Sequence, residues 1–132
     1  MAADPALDYP RPDVEALVWD TVRSLGGCTT WAYSSGDQTR APAGWLSIVS
    51  VQVDVRARSK HAAFQRADQA RRLILALPYS AWDDGVVADV VNLDGPFWLP
   101  DTDGCPRYVA RYEVRVHPLP AASPAEREAV PA

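Results

Sequence analysis

Residues 51–77 read VQVDVRARSKHAAFQRADQARRLILAL, and the way this stretch changes period decides the fold. Up to Arg58 apolar and polar residues alternate, the signature of a strand with one packed and one wet face. Beyond Ser59 the repeat becomes helical: Ala63, Ala67, Ala70, Ile74 and Leu77 fall in one stripe, with His61, Gln65, Asp68, Gln69 and Arg72 opposite. Ser59 supplies a capping hydroxyl at the changeover, and Pro78 stops the helix. The small alanines let such a helix lie close against a sheet.

Upstream, the alternation extends back to Trp45, with Trp45, Ser47, Val49, Val51, Val53 and Val55 on one face of a long strand. GDQTRAPAG (Gly36–Gly44) is a polar loop with turn chemistry at both ends, and TWAYSS (Thr30–Ser35) is a short strand before it. Val14, Leu17, Val18, Thr21, Val22 and Leu25 recur at helical spacing. Pro10, Pro12, Asp13 and Glu15 mark that helix's start, and Gly26-Gly27 its end. Downstream, Val86–Leu93 and Arg107–His117 are two further strands. The expected fold is α+β: two helices packed on one face of a mainly antiparallel four-stranded sheet, in the order α-β-β-α-β-β. One domain covers residues 1–117. Residues 118–132 hold four of the twelve prolines and little that is large and apolar, so a flexible tail is expected there.

With 132 residues, 48% of them hydrophobic, the chain can bury one modest core. No apolar run reaches the roughly eighteen residues of a membrane span. The opening MAADPALDYPRPD has acids and prolines where a signal peptide needs basic and then apolar residues, so a cytosolic site of synthesis and residence is expected, with no membrane. Cys28 and Cys105 are expected to stay reduced there, and neither has a second ligand at C-x-x-C spacing. His61 and His117 are too far apart in sequence to help. Asp83-Asp84 in AWDDG and Asp101 with Asp103 in DTDG read as turn residues; DTDG is too short for a calcium loop. No catalytic, cofactor-binding or metal site is expected, and the chain is not expected to be an enzyme.

The charge map offers three readings of the basic stretch. Arg56, Arg58, Lys60, Arg66, Arg71 and Arg72 are six of the thirteen Lys and Arg residues. A nucleic-acid grip would want them along one edge, but helical projection scatters the last three, Asp54 and Asp68 sit among them, and the net charge is −4 with a pI near 5.0. A plain solvated face is the second reading. The third takes in the opposite segment: from Ile74 to Cys105 there is no Lys or Arg, while Asp83, Asp84, Asp89, Asp94, Asp101 and Asp103 all fall there. Basic and acidic surfaces of this kind suit contact between neighbouring copies. Arg56, Arg58 and Lys60 are the basic candidates for such an interface, and Asp83, Asp84 and Asp89 the acidic ones.

A helix with a short polar lead, a strand ending VQVDVRARS, and a helix opening HAAFQRADQARRLI and closing at a proline together resemble the tail terminator proteins of long non-contractile-tailed bacteriophages, in particular those of actinobacteria. The likeness spans about Pro12 to His117. Its most recognisable block is Val51–Leu77, with Arg56 where the family often has an aromatic residue. The resemblance implies a virion protein at the head-proximal end of the tail, assembled from the host cytoplasm as a homo-oligomeric, hexameric ring. That ring sits on the last tube subunits, ends polymerisation and joins the head. Its implied partners are the major tail tube protein and a head-side neck or connector protein, with DNA passing through the channel without specific binding. It implies no cofactor. The resemblance does not fix which loops touch the tube or the neck; Asp37–Ala43 and the Trp82–Trp98 region are the candidates. The alternatives are a neck or head-completion protein of the same phages, or a nucleic-acid-binding module.

Overall fold

β-branched side chains at every second position build the centre of the molecule, because they pack well on a pleated surface. The computed structural model describes residues 12–35, 39–41 and 44–119. Its central strand β3 (Gly44–Arg56) buries Val49, Val51, Val53 and Val55 on one face. β6 (Arg107–Pro118) lies antiparallel to it in unbroken register from Ser47 opposite Val116 to Arg56 opposite Arg107, and adds Ala110, Tyr112, Val114 and Val116 to the same face. β1 (Cys28–Ser35) flanks β3, β5 (Gly85–Trp98) flanks β6, and β4 (Ala81–Trp82) closes the far edge. β2 (Thr39–Ala41) pairs with Leu46, Trp45 and Gly44 at the start of β3, beyond the last β3–β6 pair, Ser47 opposite Val116.

The expected four-stranded sheet in the order α-β-β-α-β-β is therefore wrong. The observed sheet runs β1-β3-β6-β5-β4, five strands curled as a half-barrel, with β2 attached to β3. Two causes account for the difference. β2 and β4 are three and two residues long, too short to establish any periodicity in sequence. The curl follows from extra residues in the outer strands: the register shifts between Ala32 and Ser34 in β1, and between Val87 and Asp89, Asn92 and Asp94, and Asp94 and Phe97 in β5. Each such bulge bends its strand and increases the local twist.

Both helices cover the apolar face. α1 (Val14–Val22) begins one residue after Pro12-Asp13, with the Asp13 carboxylate accepting from the Ala16 N–H at 3.0 Å, and buries Val14, Val18 and Val22. α2 (Lys60–Leu75) is capped by Ser59 Oγ, which accepts from the Ala62 N–H at 3.1 Å. Ala63, Ala67, Ala70 and Ile74 on its inner stripe are at most 2% exposed. Such small side chains bring the helix axis close to the strands. Gly27 joins the two halves, since Arg56 N–H donates to its carbonyl at 2.9 Å. Its φ is +68°, and a methyl group there would run into the Arg56 carbonyl and the Arg66 guanidinium, so only glycine fits. β6 continues through Pro118, and residues 120–132 of the expected tail lie outside the described residues. So do residues 37–38 and 42–43 of the expected Asp37–Ala43 contact loop.

Candidate functional site

The face of the sheet turned away from the helices carries the other half of each alternation. Ser50, Gln52, Asp54 and Arg56 come from β3, and Arg107, Arg111, Glu113 and Arg115 from β6. The register sets Arg111 between Gln52 and Asp94, where its Nε donates to the Gln52 side-chain oxygen at 3.3 Å and its Nη1 meets the Asp94 carboxylate at 2.9 Å. Arg115 bonds to Glu113 through two nitrogens, at 3.0 and 2.9 Å. On the outer side of α2, Arg72 pairs with Asp68 at 2.6 Å one turn away, and on its flank Arg71 Nε donates to Asn92 of β5 at 3.3 Å.

At one end of this face the β5–β6 loop folds over a buried carboxylate. Asp54 is 0% exposed; it accepts from Gln52 Nε2 at 3.0 Å and from Arg107 Nη1 at 3.0 Å, with Arg56 Nη2 at 3.8 Å. Arg107 and Arg56 both continue to Asp101, at 3.1 and 2.6 Å. Burying an ionised carboxylate is costly unless it is paired and hydrogen-bonded, and here two guanidiniums and an amide do that. The hydrogen bond from Arg56 holds the Asp101 carboxyl below its ordinary range, against a smaller opposing effect of burial, and the same bond raises Arg56.

Beside this clamp, the junction between β3 and α2 forms an open cleft of about 660 Å³ lined by Arg56, Ala57, Arg58, Ala62, Arg66, Cys105 and Pro106. Arg66 Nη1 donates to the Arg56 carbonyl at 2.7 Å. Lys60 lies over the Trp98 ring at 4.8 Å, next to the edge-to-face stack of Trp98, Tyr108 and Phe64. Arg58 is exposed and makes no ion pair among the described residues. The three basic interface candidates thus lie together at this end of the sheet, but among the described residues only Arg58 and Lys60 make no ion pair, and Lys60 is held over Trp98. Arg56 belongs to the clamp.

The acidic candidates lie at the opposite end. Asp83 and Asp84 form the turn between β4 and β5, beside the end of β6, where Gly85 faces Pro118. Asp84 is pinned: its Oδ2 accepts from Asp13 N–H at 2.7 Å and its carbonyl from Leu119 N–H at 2.9 Å. Asp83 is exposed and makes no ion pair among the described residues. Asp89 is exposed on β5, its carboxylate accepting from Val90 N–H at 2.9 Å. The sixteen residues of α2 run from the basic end towards the acidic one, placing the two ends about 24 Å apart. The helix dipole has the same sense as the charges, positive at Lys60 and negative past Leu75.

The chemistry offered elsewhere is small. Cys28 and Cys105 are free thiols. Burial raises Cys28 above its ordinary value despite the nearby Arg66, which favours the unreactive thiol. Burial likewise pushes the Tyr112 phenol up. Among the described residues no group of His, Cys, Asp and Glu is placed to hold a metal ion, and no helix is long and apolar enough to cross a membrane. A second shallow cleft, about 380 Å³, lies between α1 and β1 and is lined by Asp13, Glu15 and Trp19. The residues that organise the basic end, Asp101, Arg107 and Arg66, were not singled out as partners from sequence. The one available signal was the polar Asp54 in a valine strand.

No protein-family model matches the chain, and no curated protein matches it. Among solved structures, a chain from the virion of a native gene transfer agent (GTA) particle is similar, with 13% identity over 80% of this chain and 85% of that chain and a TM-score of 0.47.

Proposed function

We propose that the chain is a structural subunit of a phage-like virion that caps the tail tube as a ring, ends tube polymerisation and forms the joining surface for the head-side neck. The resemblance of Val51–Leu77 to tail terminators supports this reading, and it supplies the hexameric stoichiometry. The observation that carries it is the outer face of the sheet. Arg56, Arg107, Arg111 and Arg115 there are all matched by carboxylates of the same chain, so the face is charged but self-neutralised. A surface of that kind can border a DNA passage without retaining phosphates, because few unpaired cations remain to release counterions. The same pairing counts against the nucleic-acid-binding alternative.

Deleting the gene tests the reading. Expected are heads without joined tails, together with tubes of irregular excess length. Attached tails of regular length would sink it, and unjoined tails of normal length would move the chain to the neck or head-completion class. Purified protein is further expected to bind duplex or single-stranded DNA only weakly at physiological salt. A salt-resistant, submicromolar complex in an anisotropy titration would reverse the ranking of the two functions.

A further inference from the structure

We infer that the cleft between β3 and α2 is the receptor for the β4–β5 turn of a second copy of this chain, with Asp83 of one subunit meeting Arg58 of the next. The inference rests on the ring reading and names the contact that closes the ring. Five cations, Arg56, Arg58, Lys60, Arg66 and Arg107, gather at the basic end. Among the described residues the carboxylates paired with them are Asp54 and Asp101, so a positive excess is left over, with Arg58 in no ion pair there. No acid stands in the first turn of α2 to offset the positive end of that helix. The acidic end has the complementary form. Asp83 is exposed on a two-residue turn held by the Asp84 bonds to Asp13 and Leu119, and it makes no ion pair among the described residues. Wide clefts accept narrow turns, and here the cleft is basic and the turn acidic.

The position of the two surfaces fixes the kind of assembly. Because they lie at opposite ends of one subunit, contact between them uses two different surfaces, and repeating it adds a further copy each time until the rotation closes. Two basic ends or two acidic ends repel, which disfavours a symmetric dimer. Exposed ion pairs are weak, so the Ala57 and Pro106 surfaces of the cleft must also be covered for a stable contact, and charge selects the register.

Cys105 lines the cleft and gives a direct test, since a thiol introduced at Asp83 would come close to it only if the turn of one copy enters the cleft of another. Asp83→Cys protein, oxidised gently both in concentrated solution and on assembled tails, is expected to give a ladder of disulfide-linked multimers of this chain. The ladder should be absent from the Asp83→Cys/Cys105→Ser double variant. Reversal of Arg58 and Lys60 to glutamate should weaken self-association by about tenfold, and Asp83→Arg should recover part of the loss. No Cys105-dependent ladder in either setting overturns the contact, as does a product linking the introduced thiol to another tail protein instead. Failure here leaves the gene-deletion result untouched, so the contact and the capping function fall separately.

Discussion

The outer face of the sheet and its two ends contain the same residue types and use them in opposite ways. On the face, Arg111 and Arg115 stand within 3 Å of Asp94 and Glu113, and at its margin Arg56 and Arg107 hold Asp54 and Asp101. At the ends, Arg58 and Asp83 have no such partner among the described residues. Arg56 and Arg58 are two positions apart in sequence, yet one belongs to the subunit's own structure and the other is free to face a neighbour. Charge density along the chain therefore locates candidate contact regions, but only register shows which charges are already committed inside the molecule.

The largest test of this contrast is Asp54→Ala, which leaves Arg107 and Gln52 facing a void beneath the β5–β6 loop. Breaking a buried pair in this way is expected to cost about 3–5 kcal/mol, read from chemical denaturation. A loss below about 1 kcal/mol would show that the clamp is no different from a surface pair. Arg56→Glu comes next. It removes the hydrogen bonds to Asp101 and sets a carboxylate beside Asp54, with about 1.5–3 kcal/mol expected to be lost. This makes Arg56 unsuitable for probing assembly, since folding and contact would be affected together.

Acid tests the same clamp without a change in packing. The Asp101 carboxyl is depressed in the folded chain, so its contribution to stability is full above the unfolded value near 4 and is lost as pH falls through the lower folded value. Asp101→Asn is expected to flatten the acid limb of a stability profile below about pH 4 and to leave its shape near neutrality alone. An unchanged limb would place the acid sensitivity elsewhere. Smaller again is Arg111→Ala, a loss of about 0–1 kcal/mol because its pair with Asp94 is solvent-exposed on both sides. Arg58→Glu is the smallest for folding, within about 0.5 kcal/mol of the parent in a melt, although it is expected to impair assembly.

How much of this was legible in the sequence follows from element length and contact separation. The valine alternation of β3, the alanine stripe of α2 and the alternation of β6 each run long enough to reveal their period, and each buries the face it implied. β5 was expected to end at Leu93, but it runs on to Trp98. Bulges there let Phe97 and Trp98 return to pairing with Val109 and Tyr108, and that recovery depends on the neighbouring strand. The candidate site divides in the same way. The sequence placed basic and acidic candidates in separate segments, but the bond between Arg56 and Asp101 joins residues 45 apart, and nothing local announces it.

The unbroken ladder between β3 and β6 has a mechanical consequence. Ten consecutive residue pairs link the two strands, and the charged ends lie at the two extremities of that ladder. Tension passed from one neighbour to the other would run parallel to the strands and across their hydrogen bonds. Under such shear the bonds share the force and must fail together, unlike a zipper that opens one rung at a time. In the proposed ring, the line along which neighbours would pull is thus also the direction in which the sheet resists stretching most.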